Sequence, residues 1–190
     1  MFTPGTLKSA NGSLLFNTLF DQLKGNRTMR NLMLFATTVM LLPLAGCNRV
    51  EFQEFSSPEG KFSILMPGTP EKKTQTTMGM TVVMFGKDVR NGAYAVGYAD
   101  IPRNVPTSLS GAVQGIARSH SGKILSEKDY MFEGTKGKEF EVEIPKPKGF
   151  ISGRVILIKN RLYQMFAMGT NARLSDPDVQ KFIKSFKLIK

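Results

Sequence analysis

The sequence contains one cysteine and one histidine, Cys47 and His120, and these side chains are the best suited to nucleophilic or acid–base chemistry. Because Cys47 has no second cysteine to pair with, no disulfide can form within the chain. A lone cysteine is a buried apolar residue, a reactive thiol or an attachment point. Leu44, Ala45 and Gly46 stand directly before Cys47, and small residues at the end of an apolar segment favour an attachment point.

A catalytic triad based on histidine would have to use His120. Ser119 and Ser121 flank it in the sequence, but neighbouring residues on a helix point in different directions. His120 also lies near the C-terminal end of a predicted helix, where the helix dipole favours a histidine. We therefore predict that His120 caps the helix or lies at an interface, and that the chain has no catalytic residues.

Three glutamates, Glu139, Glu141 and Glu143, alternate along one predicted strand. From one strand face they would either supply oxygen ligands to Ca²⁺ or act as paired acids, whereas alternating charge is also typical of a solvated face. A calcium site needs six or more oxygens arranged around the ion. One histidine and one cysteine leave no ligand set for zinc, and no glycine-rich phosphate loop is present. We predict no metal and no cofactor.

A basic, proline-containing loop spans residues 145–149 (PKPKG), with Lys136 and Lys138 close by in the sequence. Together these lysines would form a contact patch for an acidic partner. The alternative is an ordinary solvated loop.

A signal peptide is predicted over residues 29–46. Met29 and Arg30 precede an apolar segment at residues 32–44, which is too short for a spanning helix of about 20 residues. Residues 41–47 (LLPLAGC) resemble a bacterial lipobox, in which small residues precede a cysteine that is lipidated and becomes the new N-terminus. The resemblance implies a diacylglyceryl anchor on Cys47 and a location in the cell envelope, on the extracytoplasmic (periplasmic) side of a bacterial membrane. Residues 1–28 are interpreted as an upstream extension or a disordered leader segment, so translation starts at Met1 or at Met29.

The chain has a formal net charge of +11. Without the first 46 residues, the remaining 144 carry 22 basic and 14 acidic side chains, a net charge of +8. This excess favours adhesion to an anionic surface such as lipid headgroups. Nucleic acid is not expected as a partner, because an exported protein rarely meets it and no arginine cluster or aromatic RNA-binding signature is present.

The remaining pattern predicts an α+β domain at residues 55–190, after a tether at residues 47–54. Alternating apolar residues predict strands in hairpins, the clearest over residues 80–89 and 93–101, with Asn91-Gly92 favouring a type I′ turn. A turn is expected at residues 57–60, another at residues 134–137, and an exposed loop at residues 71–80. Thr107 or Ser108 caps a predicted helix, and residues 175–178 (SDPD) begin a C-terminal one. The result is an antiparallel β-sheet covered by helices, with the first helix packed on the small residues of the strand at 93–101.

The order of these elements resembles the PsbP-like family, named for an extrinsic photosystem II subunit. The similarity rests on residues 55–67 (FSSPEGKFSILMP), on the hairpin at residues 154–169 and on Ser185-Phe186 near the C-terminus. It implies an α/β/α sandwich. In photosynthetic organisms such proteins support photosystem assembly or the oxygen-evolving site, but no motif of known functional residues matches this sequence.

These observations predict an exported lipoprotein that acts as a non-catalytic binding or assembly-accessory module at the membrane surface. Its expected partners are membrane lipid, through Cys47, and a membrane protein or an anionic surface. The alternative is an enzyme or a small-ligand carrier whose pocket is not visible in the sequence and involves His120, Tyr94 or Tyr98.

Overall fold

The computed structural model describes residues 51–77, 80–102, 105–146 and 148–189. The predicted signal peptide, the residues before it and Cys47 lie outside the described residues. Strand β1 spans Gln53–Ser57, so its first two residues fall within the predicted tether.

A seven-stranded antiparallel sheet forms the centre of the fold. Its order is β3-β4-β5-β9-β8-β7-β6. Its strands are β3 (Glu71–Thr77), β4 (Met80–Val89), β5 (Gly92–Asp100), β6 (Lys123–Phe132), β7 (Thr135–Pro145), β8 (Lys148–Ile158) and β9 (Arg161–Gly169). Strands β8 and β9, which are apolar on both faces, lie in the middle of this large sheet, as the sequence predicts.

A second, three-stranded sheet combines both ends of the domain. Strand β2 (Phe62–Met66) pairs on one side with β1 and on the other with β10 (Lys187–Leu188). The partner of Ser63 in this pairing is Lys187. The first hairpin of the domain is therefore completed by its last strand.

Two helices lie on opposite faces of the large sheet. Helix α1 (Leu109–Ser119) packs on β6, β7 and β8. Helix α2 (Pro177–Lys184) packs on the other face, against β2, β8 and β9. One apolar core lies between the sheet and α1, and a second, rich in aromatic rings, lies between the sheet, α2 and the small sheet.

The architecture is an antiparallel α+β fold, but helices alone do not cover the sheet. The three-stranded sheet shares one face with α2, and the short β10 was not predicted. Helix α1 lies mainly over β6–β8. The predicted packing on β5 is seen only in that Ala95 and Ala99 of β5 belong to the same core as α1. The space beside Gly97 of β5 is filled by Met84 of β4, whose sulfur would lie 2.2 Å from a Cβ at that position.

The loop predicted at residues 71–80 is wrong, because residues 71–77 form the edge strand β3. Its sequence, EKKTQTT, has no apolar alternation. The strand forms through backbone pairing with β4, with Lys73 opposite Met84. An edge strand needs only one paired side, so polar side chains suffice.

Three turns lie one or two residues away from their predicted positions. The first spans residues 58–61, where Lys61 donates to the Pro58 carbonyl at 3.2 Å. In the β4–β5 hairpin Val89 pairs with Gly92, so Arg90 and Asn91 form the loop, and none of Arg90, Asn91 and Gly92 has positive φ. Gly92 is required for another reason: a Cβ there would lie 2.0 Å from the Met168 carbonyl oxygen of β9.

The type I′ pattern of two positive φ angles occurs instead in the β6–β7 hairpin. Glu133 has φ 46° and Gly134 has φ 79°. Strand β6 is the other edge of the large sheet, and its pairing is interrupted by a bulge between Ile124 and Ser126.

Candidate functional site

The described chain enters the fold at the end of the large sheet that carries the β4–β5 turn. The ring of Phe52 meets Tyr94 of β5 edge to face, with ring centroids 5.5 Å apart. The Lys181 ammonium of α2 lies 5.0 Å from the centroid of the same Phe52 ring. These contacts fix the start of the domain between β5 and α2.

A cavity of about 530 Å³ opens beside this entry point, between the β4–β5 turn, the end of β9 and the N-terminal turn of α2. Its polar side chains come from Arg90, Asn91, Tyr94, Asp176 and Asp178. Asn171 is a further polar residue of the lining. The rest of the lining is apolar or backbone: Val89, Gly92, Ala167, Met168, Gly169, Ala172 and Val179.

A second cavity of about 420 Å³ shares Val89 and Arg90 with the first. It is also lined by Glu51, the first described residue, and by Gln53 and Gly68. The two cavities therefore adjoin at the β4–β5 turn, and together we call them the entry groove.

The entry groove carries opposite charges that do not meet. The Arg90 guanidinium forms no ion pair or hydrogen bond with any described residue, and neither does the Asp178 carboxylate. Asp176 caps α2, since its Oδ1 accepts from the backbone N–H of Asp178 at 2.8 Å and of Val179 at 3.2 Å. The N-cap is therefore Asp176, one residue after Ser175, with which the predicted helix start (SDPD) begins.

The electrostatic potential at the floor of the first cavity is negative. Burial raises the pKa of the Tyr94 hydroxyl above its usual value of 10.0, and the nearby carboxylates of Asp178 and Asp176 raise it further. The phenol therefore stays protonated at neutral pH. The same two carboxylates would stabilise a cation placed beside the ring.

His120 is the C-cap of α1, as predicted. Its Nδ1 lies 2.9 Å from the Ser119 hydroxyl and 3.1 Å from the Ile116 carbonyl oxygen. Ser119 itself donates to that carbonyl at 2.8 Å. These contacts stay within the last turn of the helix.

The three glutamates of β7 face the side of the sheet that α2 covers, and two are bound by arginines. Arg154 donates to Glu139 at 2.7 Å, and Arg173 donates to Glu141 at 2.8 Å. Glu141 also accepts from the backbone N–H of Leu174 at 2.9 Å. Glu139 and Glu141 thus bind protein donors, and neither forms the solvated face that was the alternative interpretation.

The candidate basic patch is not assembled. Lys138 lies near the β6–β7 turn, where it binds Asp129 at 2.9 Å and Glu127 at 3.2 Å. Lys146 lies in the turn at the other end of β7. Eight residues of strand separate the two lysines by about 27 Å, so residues close in sequence lie at opposite ends of the sheet. Pro147, in the same predicted loop, lies outside the described residues.

Tyr98 lies at the end of β5 opposite the entry groove. The Arg161 guanidinium lies 4.6 Å from the centroid of its ring and binds both carboxylate oxygens of Asp100 at 2.7 Å. Arg161 also donates to the Glu59 carbonyl at 2.8 Å. This arrangement joins the first turn of the small sheet to the large sheet. Of the residues predicted for a pocket, Tyr94 lines the first cavity of the entry groove.

The described residues contain neither a metal-binding cluster nor a membrane-spanning helix. No group of three or more histidine, cysteine, aspartate or glutamate side chains there is arranged to hold a metal ion. No helix among them has the length and apolar character needed to cross a membrane.

The entry groove itself could not be predicted from the sequence. The turn at residues 90–92 and the helix start at residues 175–178 were each recognised as local structure. Nothing in their local patterns indicates that Arg90 and Asp178 line one cavity, because strand order alone brings them together.

Comparison with known proteins supports the fold. No family model matches the chain, and no curated protein sequence matches it. A solution structure of cyanobacterial PsbP (CyanoP) from Synechocystis sp. PCC 6803 has a TM-score of 0.53 and 13% identity, covering 77% of this chain and 99% of that chain. A crystal structure from Bacteroides thetaiotaomicron VPI-5482 is 15% identical over 72% of this chain and 48% of its own, and its TM-score of 0.30 is too low to carry an argument. The chain therefore has a PsbP-like fold, which agrees with the sequence resemblance.

Proposed function

We propose that the chain is an exported lipoprotein, anchored by a diacylglyceryl group on Cys47, that acts as a non-catalytic binding or assembly-accessory module at the membrane surface. The observation that carries this proposal is the fixed position of Phe52 at the entry groove. Only five residues lead from Cys47 to Phe52, and they span at most about 18 Å. An anchor at Cys47 would therefore hold the entry-groove end of the domain close to the headgroups.

The contacts of the remaining candidates support a binding role over catalysis. His120 and Glu141 are engaged in local structural contacts, and the PsbP-like fold is that of the cyanobacterial PsbP structure. The net charge of +8 after residue 46 adds attraction to an anionic membrane, worth about 1 kcal/mol for each lysine or arginine near the surface.

Mass spectrometry of the chain purified from membranes tests the anchor. We expect an N-terminus at Cys47 carrying a diacylglyceryl group, and we expect Cys47→Ser to release the chain from membranes. An unmodified Cys47, or one still preceded by Gly46, would refute the anchor.

Site-specific crosslinking tests the accessory role. A photoreactive phenylalanine analogue at Lys146, which is exposed at the groove end, should crosslink a membrane partner in cells. The same analogue at Lys159, exposed at the opposite end, is the matched control. Adducts from position 159 alone, or from neither position, would contradict the proposal.

A small-ligand carrier is the second candidate, and the cavity at Tyr94 favours it. Mass spectrometry of the chain isolated without denaturation should then detect a bound small molecule that Arg90→Gln removes. Identical spectra for the two chains would exclude this candidate.

A further inference from the structure

We propose that the entry groove binds the zwitterionic headgroup of an aminophospholipid, phosphatidylethanolamine being the simplest. The ammonium group lies against Asp178 and Asp176 beside Tyr94, and the phosphate lies against Arg90. This inference rests on the lipid anchor proposed at Cys47, because the anchor is what keeps the groove at the headgroups.

The first argument is the separation of opposite charges. Arg90 and Asp178 line the same cavity of about 530 Å³, yet no ion pair joins them among the described residues. A ligand that carries both charges can occupy the space between them and satisfy each one. Ligand sites in proteins commonly occupy about 300–1,000 Å³, so the volume fits a headgroup with part of its glycerol.

The second argument is the electrostatics of the cavity floor. The N-terminus of α2 contributes about half a positive charge, but two carboxylates, Asp176 and Asp178, lie in its first turn. Their negative charge exceeds that of the helix dipole. Burial is the main cause of the raised pKa of Tyr94, and these two carboxylates raise it further. A primary ammonium can also donate hydrogen bonds to these oxygens.

The third argument is position. The groove includes Glu51 and the β4–β5 turn, and Cys47 is only four residues before Glu51. Lys181, the nearest cation on α2, lies over the ring of Phe52. The apolar lining, Met168 and Val179 among it, suits the uncharged parts of a lipid more than a fully hydrated ion.

Fluorine NMR can report on the groove directly, because the chain has only four tyrosines. The lipidated full chain, labelled with 3-fluorotyrosine and kept in detergent, would be titrated with glycerophosphoethanolamine. We expect a saturable shift of the Tyr94 resonance. Tyr98, Tyr130 and Tyr163 do not line the groove and serve as internal controls.

A second arm distinguishes a membrane headgroup from a free zwitterion. The lipidated chain would be placed in vesicles of equal parts phosphatidylglycerol and phosphatidylethanolamine, or of equal parts phosphatidylglycerol and phosphatidylcholine. We expect the Tyr94 shift only in the first, since a choline headgroup has no N–H to donate. Glycine and inorganic phosphate, added to the chain in detergent, should produce no shift.

Two substitutions test the two halves of the site. Arg90→Gln and Asp178→Asn should each weaken affinity for glycerophosphoethanolamine about tenfold, as expected for a lost charge-assisted hydrogen bond. Two matched controls are Arg118→Gln, at an exposed position of α1, and Asp88→Asn on β4. Neither residue lines the groove. The three other fluorine resonances show whether each variant is folded.

Several results would overturn the inference. They are an unchanged Tyr94 resonance with the wild-type chain, equal shifts in both vesicle types, a shift with glycine but not with phosphatidylethanolamine, or equal affinity in Arg90→Gln and Arg118→Gln. Failure of the anchor is a separate result: a chain without lipid on Cys47 that still shifts with glycerophosphoethanolamine refutes the proposed function and supports the groove.

Discussion

Two arginines each bind a glutamate of β7 and an aromatic ring. Arg154 lies 4.5 Å from the centroid of the Tyr130 ring and binds Glu139, and Arg173 lies 4.3 Å from the Phe150 ring and binds Glu141. The planar guanidinium stacks on the ring while its N–H groups bind the carboxylate. The pairs neutralise Glu139 and Glu141, two of the three carboxylates that the sequence offers as metal ligands.

The tyrosines predict how stability depends on pH. Burial is the main cause that raises the pKa of all four tyrosines above the usual 10.0. The four are Tyr94, Tyr98, Tyr130 and Tyr163. Between pH 10 and the raised pKa the folded chain holds protons that the unfolded chain has lost, so the free energy of unfolding falls as pH rises. Each pH unit in that range costs up to about 1.4 kcal/mol per tyrosine.

Urea unfolding at neutral pH and above pH 10, together with the ultraviolet absorbance of tyrosinate, would measure this effect. Tyrosines that ionise at their ordinary pKa in the folded chain, with unchanged stability, would contradict it.

The start of α1 gives a prediction at the scale of an element. The sequence leaves Thr107 and Ser108 as alternative caps, and the structure selects Ser108, whose hydroxyl accepts from the Gly111 N–H at 2.9 Å. Ser108→Ala should lower the free energy of unfolding by about 1 kcal/mol. Thr107→Ala is the control, because its hydroxyl only donates to the Val105 carbonyl at 3.3 Å. Equal losses measured by urea unfolding would show that the cap is misassigned.

The β5–β9 pairing gives a second prediction for elements. Gly92→Ala places a methyl group on the Met168 carbonyl and should cost about 1–3 kcal/mol, as overpacking does. Gly86→Ala, in the partner strand β4, meets nothing closer than the Tyr94 carbonyl oxygen at 3.9 Å and should be neutral or slightly stabilising. Thermal unfolding of the two variants compares them, and a Gly92→Ala chain as stable as Gly86→Ala would contradict the assigned register.

Local signals predicted most elements, and strand order decided the rest. The i, i+3, i+4, i+7 spacing of four apolar residues correctly predicts one buried face, which extends from α2 to Phe186 just after it. The four residues are Val179, Phe182, Ile183 and Phe186. Strand β3 was missed because backbone pairing, and not apolar alternation, forms it. The entry groove was missed because its two charges are 88 positions apart and meet only through the order of strands.

At the scale of the molecule, Phe62 joins the small sheet to the large one. It is fully buried and stacks on Phe186 with ring centroids 5.6 Å apart. It also meets Phe85 of β4 and Tyr163 of β9 edge to face. The small sheet is therefore part of the second core, and the domain folds as three layers.

The proposed anchor predicts an orientation on the membrane. In vesicles, Lys146 and Lys148 at the groove end should react with an amine-specific reagent more slowly in the lipidated chain than in Cys47→Ser. Lys159, about 36 Å from Lys148 along β8, should react equally in both. Peptide mass spectrometry would quantify the three lysines, and equal protection of Lys159 would contradict the orientation.

The pairing of Ser63 with Lys187 has a consequence for biogenesis. Strand β2 emerges early from any translocation channel, but its partner β10 follows only after more than a hundred further residues. Contacts between such distant segments slow folding, because loop closure must come first. Under the proposed export, an unfolded chain would benefit from this delay, since the small sheet is completed only after nearly all of the domain has crossed.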